Sequence, residues 1–213
     1  MGLYRYKRLA FGVNSAAELF QHTIGSLIND ISGVLNISDD IIVFGVTQQT
    51  HDEALHAVLK RLNDNGLTIN VSKCKFSVPQ IDFFGFIFSS KGLSPDPKKV
   101  EAVKAFHKPE DAKALKSFIG MATYSSRFIK NYSIITAPLR ELLKKNCLWE
   151  WSAEHDTAFN NIKSALSSDT VMSYYDSRKS TTVIVDGSPV GLGAILIQEN
   201  RTIAYASRAL TST

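Results

Sequence analysis

The period of the apolar positions changes several times along the chain, and each change marks an element. Residues 3–9 run Leu3, Tyr4, Arg5, Tyr6, Lys7, Arg8, Leu9, which suits a short strand with one basic face. Ser15 with Glu18 three residues on is a capping-box pattern. It opens a helix whose Leu19, Phe20, Ile24, Leu27, Ile28 and Ile31 recur at helical spacing and which Gly33 closes. Two short β-branched runs, Val34–Ile37 and Ile41–Phe44, flank Ser38-Asp39-Asp40 and predict a β-hairpin with two carboxylates at or near its tip. Thr50 and Glu53 form a second capping box before a helix that carries Leu55, Val58, Leu59 and Leu62 and stops at Gly66. Strands are expected at about 67–71 and over 81–88.

From Gly92 the pattern turns helical. Asp96-Pro97 reads as an N-cap followed by proline at the first helical position. Three short helices follow, marked by Val100, Val103 and Phe106, by Leu115, Phe118, Ile119 and Ala122, and by Leu139, Leu142 and Leu143. Another starts at Ser152 with Phe159, Ile162 and Leu166. Period two returns in strands at 181–186, 193–198 and 202–207. No helix follows to cover them. An uncovered three-stranded sheet leaves an apolar face and open edges, so the chain is expected to be a cut piece of a longer one.

Composition narrows this little. The 213 residues are 44% hydrophobic and 21% charged, which argues against collagen-like, low-complexity or wholly disordered chains. No apolar run reaches the roughly 18 residues of a membrane helix, and the first residues lack a signal-peptide layout. Two cysteines, Cys74 and Cys147, make no disulfide framework and no CxxC knuckle. An intracellular setting, cytoplasm or nucleus, without secretion or membrane attachment, is the expectation. Charge is more informative by segment. The net charge is +4, yet residues 91–145 alone hold 12 basic and 5 acidic side chains. Such asymmetry points to a polyanion-facing segment, although a solvated lysine-rich helical face would look the same.

Asp39-Asp40 is the sharpest candidate for chemistry. Adjacent carboxylates repel by about 1 kcal/mol at about 4 Å in water, a cost that a divalent cation removes. Phosphoryl-transfer enzymes use such carboxylates to hold two metal ions. Ser and Asp are also ordinary turn residues. Asp186, at the end of an apolar strand, is a second candidate ligand or merely a turn opener. Five histidines show no zinc-binding spacing, and Gly191-x-Gly193 precedes a strand, so it is no dinucleotide fingerprint. Trp149, Trp151, Phe83 and Phe84 read as core in preference to base-stacking platforms.

Taken in order, the motifs are specific. Leu9-Ala10-Phe11-Gly12-Val13, Phe20-Gln21, Ser38-Asp39-Asp40, Lys73-Cys74-x-Phe76 and Phe83-Phe84-Gly85 resemble the reverse transcriptase of gypsy-like LTR retrotransposons. So do the run from Gly92 to Val100, Leu115-Lys116-Ser117-Phe118-Ile119-Gly120, and Tyr124-x-x-Arg127-Phe128-Ile129. Val183-Ile184-Val185-Asp186-Gly187-Ser188, with Ile203 to Arg208, resembles the start of that family's RNase H domain.

The resemblance implies an α+β fold: residues 1–90 the later part of the palm, 91–145 a helical thumb, 146–175 the connection, and 176–213 the first strands of a truncated RNase H-like domain. It implies an RNA-directed DNA polymerase acting on a template-primer duplex and dNTPs within a Pol polyprotein. Asp39 and Asp40 match the paired aspartates that bind catalytic Mg²⁺, Lys73 a proposed general acid, and Asp186 the first metal carboxylate of RNase H. Phe11 and Gly12 match positions beside the incoming nucleotide, and Phe84 and Gly85 the primer grip. Lys98, Lys99, Lys104, Lys113, Lys116 and Arg127 would contact phosphates without reading sequence. Ile37 stands where the family more often has Tyr, and Ala10 and Ala17 where Pro is usual. The family's first palm aspartate and its later RNase H carboxylates have no match in these residues. This piece alone is therefore expected to hold Mg²⁺ poorly and not to polymerise. The alternatives are a catalytically dead nucleic-acid-binding remnant, a host-retained piece, or a fragment without a role.

Overall fold

The computed structural model describes residues 2, 4–10, 12–166 and 170–210. The chain divides into two units, Met1–Phe76 and Ser77–Thr213.

The first unit sets two helices against one hairpin. Helix α1 spans Ala16–Ile28, strand β1 Val34–Ile37, strand β2 Asp40–Val43 and helix α2 Gln48–Asp64. The strands pair antiparallel, Val34 opposite Val43 and Ile37 opposite Asp40. Ala54, Val58 and Leu62 recur every four residues and so share one face of α2. They bury against Ile24 and Ile28 of α1 and Val34 of β1. Each such large apolar side chain contributes about 1.5–3 kcal/mol on burial. Outside this core, Arg61 of α2 donates to the Leu27 carbonyl at 2.6 Å and to the Asp30 carboxylate at 3.1 and 3.2 Å. The Arg61 guanidinium holds the Asp30 carboxyl below its usual range.

Several sequence expectations fail here for local reasons. Residues 4–9 form no strand, and Tyr4 and Tyr6 are 94% and 85% exposed. In the first unit's described sheet β1 and β2 pair only with each other, and this stretch joins neither open edge. Ser15 is the N-cap of α1, but its side chain makes no capping bond. The helix ends at Ile28, and Gly33 instead opens the hairpin, its carbonyl accepting from the Phe44 amide at 2.8 Å. Helix α2 starts one turn before the Thr50/Glu53 pattern. Thr47 is its cap, and the Thr47 and Thr50 side chains reciprocate the capping bonds. Residues 67–70 hold no strand, and Val71–Lys73 forms a 3-10 turn that Asn70 caps.

The second unit carries two antiparallel sheets and a helical cluster. Strands β3 Gln80–Phe83, β4 Phe86–Ser89 and β5 Gly92–Pro95 form the first sheet in that order. The run 81–88 is thus a hairpin and not one strand, because Phe84 and Gly85 both take positive φ. Gly92 has φ +134, and a Cβ there would overlap the Met172 carbonyl oxygen. That closeness lets Leu93 and Met172 exchange both backbone bonds at 2.8 Å. Beneath them Leu93, Phe128 and Met172 bury together with Phe86, Phe88 and Tyr205 packed around.

Helices α3 Pro97–Lys104, α4 Ala112–Tyr124, α5 Tyr132–Ile135, α6 Ala137–Glu141 and α7 Ala153–Ala165 follow. Asp96 caps α3 as expected, its carboxylate accepting from the Lys98 amide at 2.9 Å. Leu115 and Phe118 of α4, Leu139 of α6 and Phe159 and Ile162 of α7 form one core, against which Trp149 and Trp151 pack. The last sheet runs β6 Thr181–Ser188, β7 Gly191–Gln198 and β8 Arg201–Ala209, matching the three expected strands. Val183 and Val185 of β6 are 60% and 74% exposed. Among the described residues no helix is long and apolar enough to cross a membrane. The α+β class is as expected from the sequence.

Candidate functional site

The acidic pair sits where the pattern placed it. Ser38 and Asp39 make the two-residue turn of the β1–β2 hairpin, with Ser38 at φ +54, and Asp40 is the first residue of β2. Both carboxylates are exposed. Asp40 pairs with Ile37, so both lie on the face away from Val34 and Val43. Gln21 of α1 fixes this tip. Its side-chain oxygen accepts from the Ser38 amide, and its amide nitrogen donates to the Asn36 carbonyl at 3.3 Å. The Phe20-Gln21 motif marked this residue, but the sequence did not say what it holds.

The donor chemistry, two hard carboxylate oxygen groups on adjacent residues, fits a divalent cation. The set is short, since the described residues contain no group of three or more His, Cys, Asp or Glu able to hold a metal ion. Lys73 ends the exposed 3-10 turn, and Gly12 lies in an exposed turn at φ +83. Phe11 lies outside the described residues.

In the second unit the structure gathers several candidate residues around the β3–β4 turn. Phe84 and Gly85 take φ +49 and +66, both left-handed. For Phe84 that conformation costs about 1–2 kcal/mol. The Tyr124 hydroxyl at the end of α4 donates to the Phe84 carbonyl. The Asp96 amide donates to the Gly85 carbonyl at 3.2 Å. The end of the Lys99 side chain lies where a Cβ on Gly85 would go, and its ammonium sits 3.6 Å from the Tyr124 ring centroid. Tyr124 in turn stacks on Phe86 at 5.3 Å and 12°. Arg127 lies 5.5 Å from the Phe86 ring. Phe83 is buried as expected, whereas the Phe84 ring is 44% exposed.

Lys98 is exposed on α3, and Lys104, half-buried, is its last residue. Lys113 and Lys116, three apart on α4, are exposed neighbours on one side of that helix. Asp186 stays apart from these. It is exposed on β6, opposite Gly193 of β7. A Cβ on Gly193 would overlap the Asn131 side chain, and Asn131 itself is left-handed at φ +55. Directly opposed residues share a face, so Asp186 lies on the side where Asn131 docks. Next to Asn131, the Ser133 amide donates to the Ser207 hydroxyl at 2.9 Å. Nothing in the sequence pattern singled out Asn131.

Residues 1–88 match the family model described as reverse transcriptase (RNA-dependent DNA polymerase). Residues 151–213 match that of an RNase H-like domain found in reverse transcriptase. The Transposon Tf2-3 polyprotein of Schizosaccharomyces pombe is 32% identical over 206 residues, 96% of this chain. The chain belongs to the reverse transcriptase and RNase H-like region of LTR-retrotransposon polyproteins. This reverse transcriptase segment spans 16% of that Tf2-3 polyprotein. Its fold is also that of solved relatives. The foamy viral protease-reverse transcriptase in complex with dsDNA superposes with a TM-score of 0.83 at 25% identity, covering 96% of this chain and 44% of that one. The same enzyme in complex with RNA/DNA hybrid gives 0.83 at 25% identity, covering 98% and 29%.

Proposed function

We propose that this segment serves RNA-directed DNA synthesis, with Asp39 and Asp40 as carboxylates that hold divalent cations. The observation that carries this is the exposed acidic tip of the β1–β2 hairpin, fixed to α1 by Gln21. Reverse transcriptases as a family use divalent metals, which when bound neutralise charge developing on the transferred phosphoryl group. The reaction forms a bond between the primer 3′ oxygen and the α-phosphorus of a dNTP and breaks the bond to pyrophosphate. Lys73 would give pyrophosphate its proton. Phe11 and Gly12 would lie beside the nucleotide, and Phe84 and Gly85 beside the primer. Lys98, Lys99, Lys104, Lys113, Lys116 and Arg127 would contact the phosphates of an RNA/DNA template-primer. Asp186 would be a metal carboxylate of the RNase H-like part. In the same reading, residues 1–90 are palm, 91–145 thumb, 146–175 connection and 176–213 the RNase H-like start, working with the rest of a Pol polyprotein.

Calorimetric titration with Mg²⁺ tests the acidic tip. D39N/D40N is expected to weaken binding by about ten-fold or more without lowering the melting temperature, since it also removes a like-charge contact. Equal affinity in wild type and variant would overturn the assignment. With two carboxylates and, among the described residues, no third grouped with them, the 213 residues alone are expected not to extend a primer. Mg²⁺-dependent extension that D39N abolishes would refute that expectation. Fluorescence anisotropy with a labelled duplex tests the lysines. Affinity is expected to fall about 1,000-fold between 50 and 200 mM salt, as for roughly six phosphate contacts. K98E/K104E/K113E should weaken it further and flatten the salt slope.

A further inference from the structure

The backbone of the β3–β4 turn is held by residues outside its own hairpin. Both of its carbonyls are taken by donors from the helical part of the second unit: Phe84 by the Tyr124 hydroxyl, Gly85 by the Asp96 amide. Asp96 is also the cap of α3, and Tyr124 is the last residue of α4. The turn is therefore fastened to the start of one basic helix and the end of the other. The Tyr124 ring adds two contacts, the stack on Phe86 and the Lys99 ammonium 3.6 Å from its centroid. A bulky residue persists at positive φ only where its surroundings over-determine it, and here they do. The hairpin also belongs to the same unit as these helices, Ser77–Thr213.

We propose that Tyr124 is a positioning residue for the Phe84–Gly85 turn, tying it to α3 and α4 so that turn and basic helices move as one body. The inference rests on the proposed primer-facing role of that turn. The Tyr124 hydroxyl sets the turn backbone, and the exposed Phe84 ring is thereby presented in a fixed place relative to Lys98, Lys113 and Lys116.

The test uses the whole chain and two variants, Tyr124→Phe, which keeps the ring, and Tyr124→Leu, which keeps neither ring nor hydroxyl. Two quantities are measured: hydrogen exchange of the amides of residues 84–86, and the ratio of affinities for an RNA/DNA duplex with a recessed primer 3′ end and a blunt duplex of equal length. Wild type is expected to prefer the recessed end. Tyr124→Phe should speed exchange in the turn about five-fold, matching one lost hydrogen bond, and cut the preference by about the same factor. Blunt-duplex affinity should hold. Tyr124→Leu should erase the preference. If wild type shows no preference, the primer-facing reading of the turn falls, and this inference with it. If wild type discriminates and Tyr124→Phe changes neither exchange nor preference, the role of Tyr124 alone falls. Equal loss on both duplexes with a lowered melting temperature would mark a merely structural tyrosine and overturn the proposal.

Discussion

The two hairpin turns on which the proposed function depends are built on opposite plans. At Ser38–Asp39 the acidic side chains point into solvent, and a single glutamine, seventeen residues earlier, accepts from the turn backbone. At Phe84–Gly85 the turn offers no ionisable group, and its backbone is gripped by Tyr124, Asp96 and the Lys99 stem. The first turn carries charge that a cation can neutralise, so its carboxylates must stay accessible. The second has only shape to contribute, so its backbone must be fixed.

Substitutions can break this contrast. The largest stability effect is expected at the gripped turn. Gly85→Val places a β-branched residue at φ +66 and should cost about 2 kcal/mol. Both tryptophans, Trp149 and Trp151, lie in the same unit, so their fluorescence should report an earlier unfolding transition. An unchanged transition would mean that the turn is not strained by its surroundings. A smaller effect is expected at the acidic turn. Gln21→Leu leaves the Ser38 amide without its acceptor, for about 1 kcal/mol, and exchange at that amide should quicken by about five-fold. If it does not, the tip is held by something other than Gln21.

The smallest effect lies at a third turn, one held by charge. The Asp176 carboxylate accepts from the Arg178 side chain at 2.9 Å and from the Arg178 amide at 3.0 Å, which lowers its pKa from 3.8 to about 2. A depressed folded pKa means that the stabilisation is present above about 3.8 and is lost as pH falls from there through about 2. An NMR titration of the Asp176 carboxyl should find its midpoint near 2, and Arg178→Ala should move it back toward 3.8. A midpoint unaffected by that substitution would remove the ion pair as the cause.

The same contrast explains which features were legible in the sequence. Two β-branched runs around Ser38-Asp39-Asp40 announce a hairpin by local pattern alone, and so do Asp96-Pro97 and the three strands of the last sheet. The run 81–88 misled because its apolar residues are continuous, and continuity alone cannot separate one strand from two. The bend there depends on Tyr124, forty residues away, and on the α3 cap. Strand β5 was missed since Gly92–Pro95 has little strand propensity and is placed by antiparallel pairing with β4, with one bridge from Leu93 to Met172 on its other edge. The apparent strand at 3–9 has the right alternation, yet residues 4–9 pair with no strand among the described residues.

By itself the sequence determined the elements with strong periods, the acidic pair at a hairpin tip, the concentration of basic charge in residues 91–145 and, through its ordered motifs, the family. These are local properties, written in spacing and composition. Only the tertiary structure decided what holds each turn: Gln21 behind Ser38, Tyr124 and Asp96 behind Phe84 and Gly85, and Asn131 over Gly193. Such contacts join residues far apart in the chain through single polar atoms and missing Cβ groups. Neither leaves a period in the sequence, so folding alone brings them into view.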